Sequence, residues 1–118
     1  MRKMIRSAKD AYDYVSDFGL HEERKHRMII VYMKEDGEVL GWNERKGYSV
    51  TEIEGATHAI IVTNHPSGDS LPDKYDIQET MKMKELLEAK CIGLVDQLIV
   101  GYREFYSYAE ERIKSIKR

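Results

Sequence analysis

The stretch from Ala59 to Asp76 constrains this chain more than any other. Ala59-Ile60-Ile61-Val62 is an unbroken apolar run and reads as a buried strand. It passes straight into Thr63-Asn64-His65-Pro66-Ser67-Gly68-Asp69, a polar knot in which Pro66 and Gly68 interrupt regular structure. Asp73 to Asp76 then open a long helical pattern, with negative charge where the helix dipole favours it. A strand tip carrying His65 and a helix start carrying Asp76 are thereby brought side by side. An imidazole and a carboxylate so placed suit a metal-dependent hydrolytic centre. The plainer alternatives are a turn histidine bonded to backbone, and two aspartates that only cap a helix.

Around this centre the pattern alternates between helix and strand. Residues 7–19 read as a helix, with Ser7 as N-cap, Asp10 as the acidic member of a capping box, and Gly19 as the stop. Ala11, Tyr14, Val15 and Phe18 form its expected buried stripe. Met28–Met33 reads as a strand, Asp36-Gly37 as a tight hairpin, and Val39–Trp42 as the return strand. Tyr48–Ile53 is expected to form a short strand. From Ile77 to Ala89, Ile77, Met81, Met83, Leu86 and Leu87 make a helical stripe, and Cys91 reads as a small core filler. Leu94–Val100 reads as a second buried strand, Phe105–Tyr108 as its edge partner, and Ala109–Arg118 as a short charged helix carrying Ile113 and Ile116. The fold class is therefore α/β: one domain over residues 1–118, with a mixed sheet of five or six strands flanked by helices.

A length of 118 residues suits a single core. The net charge of -2 exerts no general pull on nucleic acid or anionic membrane. No apolar run is long enough to span a bilayer, and the start lacks a signal-peptide core. One cysteine permits neither an internal disulfide nor a cysteine zinc motif, and a cytoplasmic setting fits these features. The basic ends, Arg2, Lys3, Arg6 and Lys9 with Arg112, Lys114, Lys117 and Arg118, are interleaved with acids such as Glu110 and Glu111 and read as solvated surface.

The run Thr63-Asn64-His65-Pro66-Ser67-Gly68-Asp69-Ser70-Leu71-Pro72-Asp73-Lys74-Tyr75-Asp76 resembles the H-N-H-P-S-G-D-x-x-P-S-x-x-D signature of the RadC-like branch of the JAB/MPN (JAMM) metallopeptidase fold. The likeness extends through Ser7–Tyr14 and Met28–Gly41. It continues at Asp96-Gln97-Leu98-Ile99-Val100-Gly101, which is similar to the family's D-H-I-I-I-G, and at Arg103–Tyr108, which is similar to its R-Y-F-S-F. The resemblance implies a cytidine-deaminase-like fold and a zinc ion held by two histidines and an aspartate. A bound water would lose its proton to a glutamate from the first strand pair, and a serine would stabilise the oxyanion as an amide or isopeptide bond is attacked.

Carried over position by position, His65 and Asp76 match metal ligands, while Thr63 stands at the first histidine and Asp73 at the serine. A threonine hydroxyl is a poor zinc ligand beside imidazole. Asp73, three residues before Asp76, is the candidate substitute, and an Asp-Asp-His set favours a harder ion or weaker zinc binding. His58 lies on the other strand face from Thr63 and His65, and His21 and His26 fall in a charged loop expected to stay away from the site. Trp42 or Asn43 occupies the place of the catalytic acid. Glu44 is the nearest replacement, with Glu52 and Glu54 as alternatives. The helix that relatives place before the motif strand is missing, which is expected to bare apolar sheet surface and call for a protein partner or a homodimer.

The reading that follows is a RadC-like domain with an incomplete zinc site, catalytically impaired and acting through protein binding or self-association. Its competitor is a metal-dependent isopeptidase or peptidase using His65, Asp76 and Asp73, with Glu44 as base. A DNA-repair accessory protein is the third reading.

Overall fold

The computed structural model describes residues 3–20, 24–48, 50–51 and 53–115. Six strands form one sheet: β1 (Met28–Met33), β2 (Val39–Glu44), β3 (His58–Asn64), β4 (Gly93–Gly101), β5 (Glu104–Ser107) and β6 (Arg112–Ser115), in the spatial order β2-β1-β3-β4-β5-β6. β3 and β4 run parallel, joined by helix α2 (Lys74–Glu88), and every other neighbouring pair is antiparallel. Helix α1 (Ala8–Val15) covers the opposite face. The mixed sheet flanked by helices is the architecture expected of the sequence.

β1 is buried along its whole length because both sheet faces are covered. Ile29, Val31 and Met33 point into the α1 core with Ile60, Val62 and Phe105. Met28, Ile30 and Tyr32 point into the α2 core with Ile61, Met83 and Leu87. The sheet is not bared by the short connection after β2. Val50, Ile53 and Ala56 pack onto the α2-side core as irregular chain, and Ile30 and Tyr32 are fully buried beneath this face.

Several local readings change. Tyr48, Val50, Thr51 and Ile53 form no strand: Val50 and Ile53 pack onto the sheet as irregular chain, while Tyr48 and Thr51 are exposed. The inward face of α1 is carried by Ala8, Ala11, Tyr12 and Val15, with Tyr12 stacked on Phe105; Tyr14 and Phe18 are only half-buried. Ser7 caps that helix as expected, but the Asp10 carboxylate accepts from the Arg6 amide, one residue before the cap. Ile77 and Met81 face solvent on α2, and the buried positions are Asp76, Glu79, Met83 and Leu87. Cys91 is exposed in the turn after the helix, with φ 61°. The charged C-terminal stretch doubles back at Glu111 (φ 54°) and pairs as β6, so β5 is not an edge strand. Ile116, with Arg2, Lys117 and Arg118, lies outside the described residues. Among the described residues no helix is long and apolar enough to cross a membrane.

Candidate metal centre

β3 ends at Asn64, and its direction places Thr63 and His65 on the α2 face, in line with Ala59 and Ile61. The loop that follows is anchored at several points. The His65 amide donates to the Val100 carbonyl at 3.2 Å, and the Tyr102 amide donates to the Gly68 carbonyl at 2.7 Å. The Ser70 hydroxyl and amide both donate to Glu104. Gly101 permits this approach: a Cβ there would lie 2.5 Å from the Gly68 carbonyl oxygen.

The loop delivers the chain to Asp73, the N-cap of α2. Asp73 accepts from the Asp76 amide at 2.9 Å, and Asp76 accepts from the Asp73 amide at 2.8 Å, a reciprocal capping box. The same Asp76 oxygen lies 2.7 Å from His65 Nε2. His65, Asp73 and Asp76 thus bring one ligand atom each to a common point, all within 4.8 Å of one another. One imidazole and two carboxylates fit a divalent cation, and so oxygen-rich a set suits a harder ion than a two-histidine site would. Burial pushes the Asp76 carboxyl above its usual range, against the opposing pull of the Asp73 N–H and of His65. The N–H of Asp76 holds exposed Asp73 below the usual range.

These residues line a cleft of about 510 Å³, whose walls include Leu71, Tyr75 and His26. His26 is a correction: it does reach the site. The β1–β3 register pairs Met28 with Thr63, and His26, two residues before Met28, lines the cleft together with His65. Strand parity held that signal, but only a known register could release it. Behind His26 sits a second surprise, Glu79, only 4% exposed, 3.8 Å from His26 and 3.0 Å from the Arg45 guanidinium.

The family description RadC-like JAB domain matches residues 49–113. This chain belongs to the RadC-like JAB domain family. It is 29% identical over 117 residues to a UPF0758 protein of Carboxydothermus hydrogenoformans, covering 88% of this chain and 51% of the relative. It is 26% identical over 121 residues to a UPF0758 protein of Chlorobium phaeovibrioides, covering 92% and 54%. A UPF0758 protein of Streptococcus thermophilus shares 47% identity over 57 residues, covering 48% of this chain and 25% of the relative. The chain thus spans about half, or less, of the curated relatives it matches.

Two positions of the RadC-like pattern take a different course here. Thr63 is 1% exposed, and its hydroxyl lies 3.4 Å from the Leu98 carbonyl, to which it donates. The same hydroxyl accepts from the Gln97 side-chain amide at 3.0 Å. Glu44 pairs across β1 with Ile29, which itself pairs with Val62, so it stands on the α1 face, opposite to His65. There it accepts two hydrogen bonds from Arg27, at 2.9 and 2.7 Å, and these hold its carboxyl below the usual range. Asn43, on the α2 face beside Ile30, holds the position nearest the site on β2. Glu54 lies in a turn, exposed, on the cleft away from His65. Glu52 and His21 lie outside the described residues.

Proposed function

We propose that this RadC-like domain acts by binding a protein partner or a second copy of itself, and that its metal centre is incomplete and hydrolyses amide bonds feebly or not at all. The observation that supports the impaired chemistry in this reading is Glu44, the candidate base, held by Arg27 on the opposite side of the sheet from His65. General-base catalysis needs the base within hydrogen-bond reach of the proton it removes. The Thr63 hydroxyl, occupied by Gln97, adds to the same conclusion. If a metal is bound, His65, Asp76 and Asp73 would hold it, and it would supply Lewis acidity and an acidified water.

The test combines metal analysis with sedimentation. The expected result is less than one firmly held zinc per chain, with the protein sedimenting at micromolar concentration as a dimer or with a partner. A stoichiometric zinc lost in His65→Ala, together with cleavage of an isopeptide-linked substrate, overturns it. That outcome would favour the second reading, a metal-dependent peptidase or isopeptidase. This alternative draws on the three ligand atoms gathered within 4.8 Å.

A further inference from the structure

On the far side of the sheet from His65, α1 and the edge strand β2 enclose a cleft of about 450 Å³. Its walls are Tyr14, Phe18 and Trp42. Trp42 pairs across from Val31, which places it on the α1 face beyond the helix, where it stays 46% exposed. The Phe18 and Trp42 rings lie 4.6 Å apart at 51°, and Tyr14 and Phe18 lie 6.3 Å apart at 57°. Asp10, Asp13 and Asp17 line the same cleft, as neighbours along one flank of α1 and the helical turn that follows it. Lys3 is the one cation among the described lining residues, so carboxylates outnumber cations there by three to one. Asp10 accepts from the Arg6 amide at 2.9 Å and Asp13 pairs with Lys9 at 2.5 Å, whereas Asp17 has no partner among the described residues.

The exposed Trp42 ring in a cleft with Asp17, unpartnered among the described residues, makes a recognisable chemistry. A ring face attracts a cation through its quadrupole, tryptophan most strongly. Guanidinium adds a flat, weakly hydrated surface that stacks on such a ring while its edge donates to carboxylates. We infer that this cleft is the docking surface for a basic segment of a protein partner, with an arginine or lysine side chain laid on Trp42 and paired with Asp17. The inference does not depend on the state of the metal centre, which lies on the other face.

Trp42 is the one tryptophan in the chain, so its fluorescence reports this cleft directly. The experiment titrates the intact chain with a blocked tetra-arginine peptide, with tetra-glutamate as control, at low and physiological salt. The expected result is a saturable change with tetra-arginine alone, weakening as salt rises. In the Asp13→Asn/Asp17→Asn variant, whose changes are on the exposed surface, affinity falls by about two- to fivefold, the scale of surface ion pairs. No saturable response at millimolar peptide overturns the proposal. So does an equal response to tetra-glutamate, or an affinity unchanged in the variant.

Discussion

Gln97 donates its side-chain amide to the Thr63 hydroxyl at 3.0 Å, and both residues are buried. The RadC-like pattern holds histidine at both positions, whereas here the Gln97 amide nitrogen pairs with the Thr63 hydroxyl and the Gln97 side-chain carbonyl is buried without a hydrogen-bond partner among the described residues. Thr63→Val keeps the shape and removes the acceptor, leaving a buried amide unpaired at a cost of ~1–3 kcal/mol. Urea denaturation measures this, and an unchanged midpoint would show that the pair contributes nothing. Thr63→His combined with Gln97→Ala makes room for a ring at the first ligand position. Zinc affinity in a competitive titration is expected to rise by about tenfold or more. No gain would mean that this strand tip no longer aims a side chain at the ion.

Asp73 has two possible duties, cap and ligand, and one substitution separates them. Asp73→Ser keeps a side-chain oxygen able to accept from the Asp76 amide, and serine is the family's residue there. Its melting midpoint should match the parent, while Asp73→Ala should melt lower. If the carboxylate also binds metal, Asp73→Ser loses affinity for manganese or zinc at full stability. Equal affinity in Asp73→Ser and the parent would assign Asp73 to capping alone.

The strands around the site were legible because their burial is written as composition. Met28–Met33 and Ala59–Val62 are apolar throughout, Asp36-Gly37 marks the hairpin, and the motif places His65 and Asp76 together. On α2 the apolar stripe marks the inner face only in part: Met83 and Leu87 are fully buried as expected. Asp76 and Glu79 also turn inward, to partners distant in sequence, and Ile77 and Met81 are left outside. The tail was misread for a related reason. Its helix-like composition was overruled by the turn at Glu111, which returns the chain to the open edge of β5. Long-range pairing of this kind leaves little local trace.

Asp76 ties stability to pH in a direction opposite to that of a carboxylate stabilised by its partners. Its folded pKa lies above the ordinary ~3.9, because burial outweighs its hydrogen bonds. Between the unfolded and folded values the native state therefore binds the extra proton, and stability contributed by this group falls as pH rises through that window. Asp76→Asn removes the penalty while its side-chain oxygen still accepts from the Asp73 amide. In a metal chelator at pH 7 the variant is expected to be more stable, by on the order of 1 kcal/mol. The advantage should shrink below the folded pKa. Thermal melts across pH check this, and a less stable Asp76→Asn at pH 7 would mean that the ionised carboxylate is favourable where it sits.

Arg45 and Glu79 pose the sharpest energetic question in the chain. Their 3.0 Å contact joins a guanidinium that is 15% exposed to a carboxylate that is 3% exposed, immediately behind His26. Desolvating two charges roughly cancels their attraction, but stranding one of them is costly. Arg45→Ala is expected to lose ~3–5 kcal/mol, because Glu79 stays buried without its guanidinium partner, beside His26 and Tyr75. Arg45→Met with Glu79→Leu replaces both charges by apolar groups and should recover most of that loss. Chemical denaturation of the two single variants and the double closes the cycle. If the double is as unstable as Arg45→Ala, packing rather than charge governs this corner. If it folds well yet binds metal more weakly than the parent, the pair is retained to hold His26 and α2 against the His65 cleft.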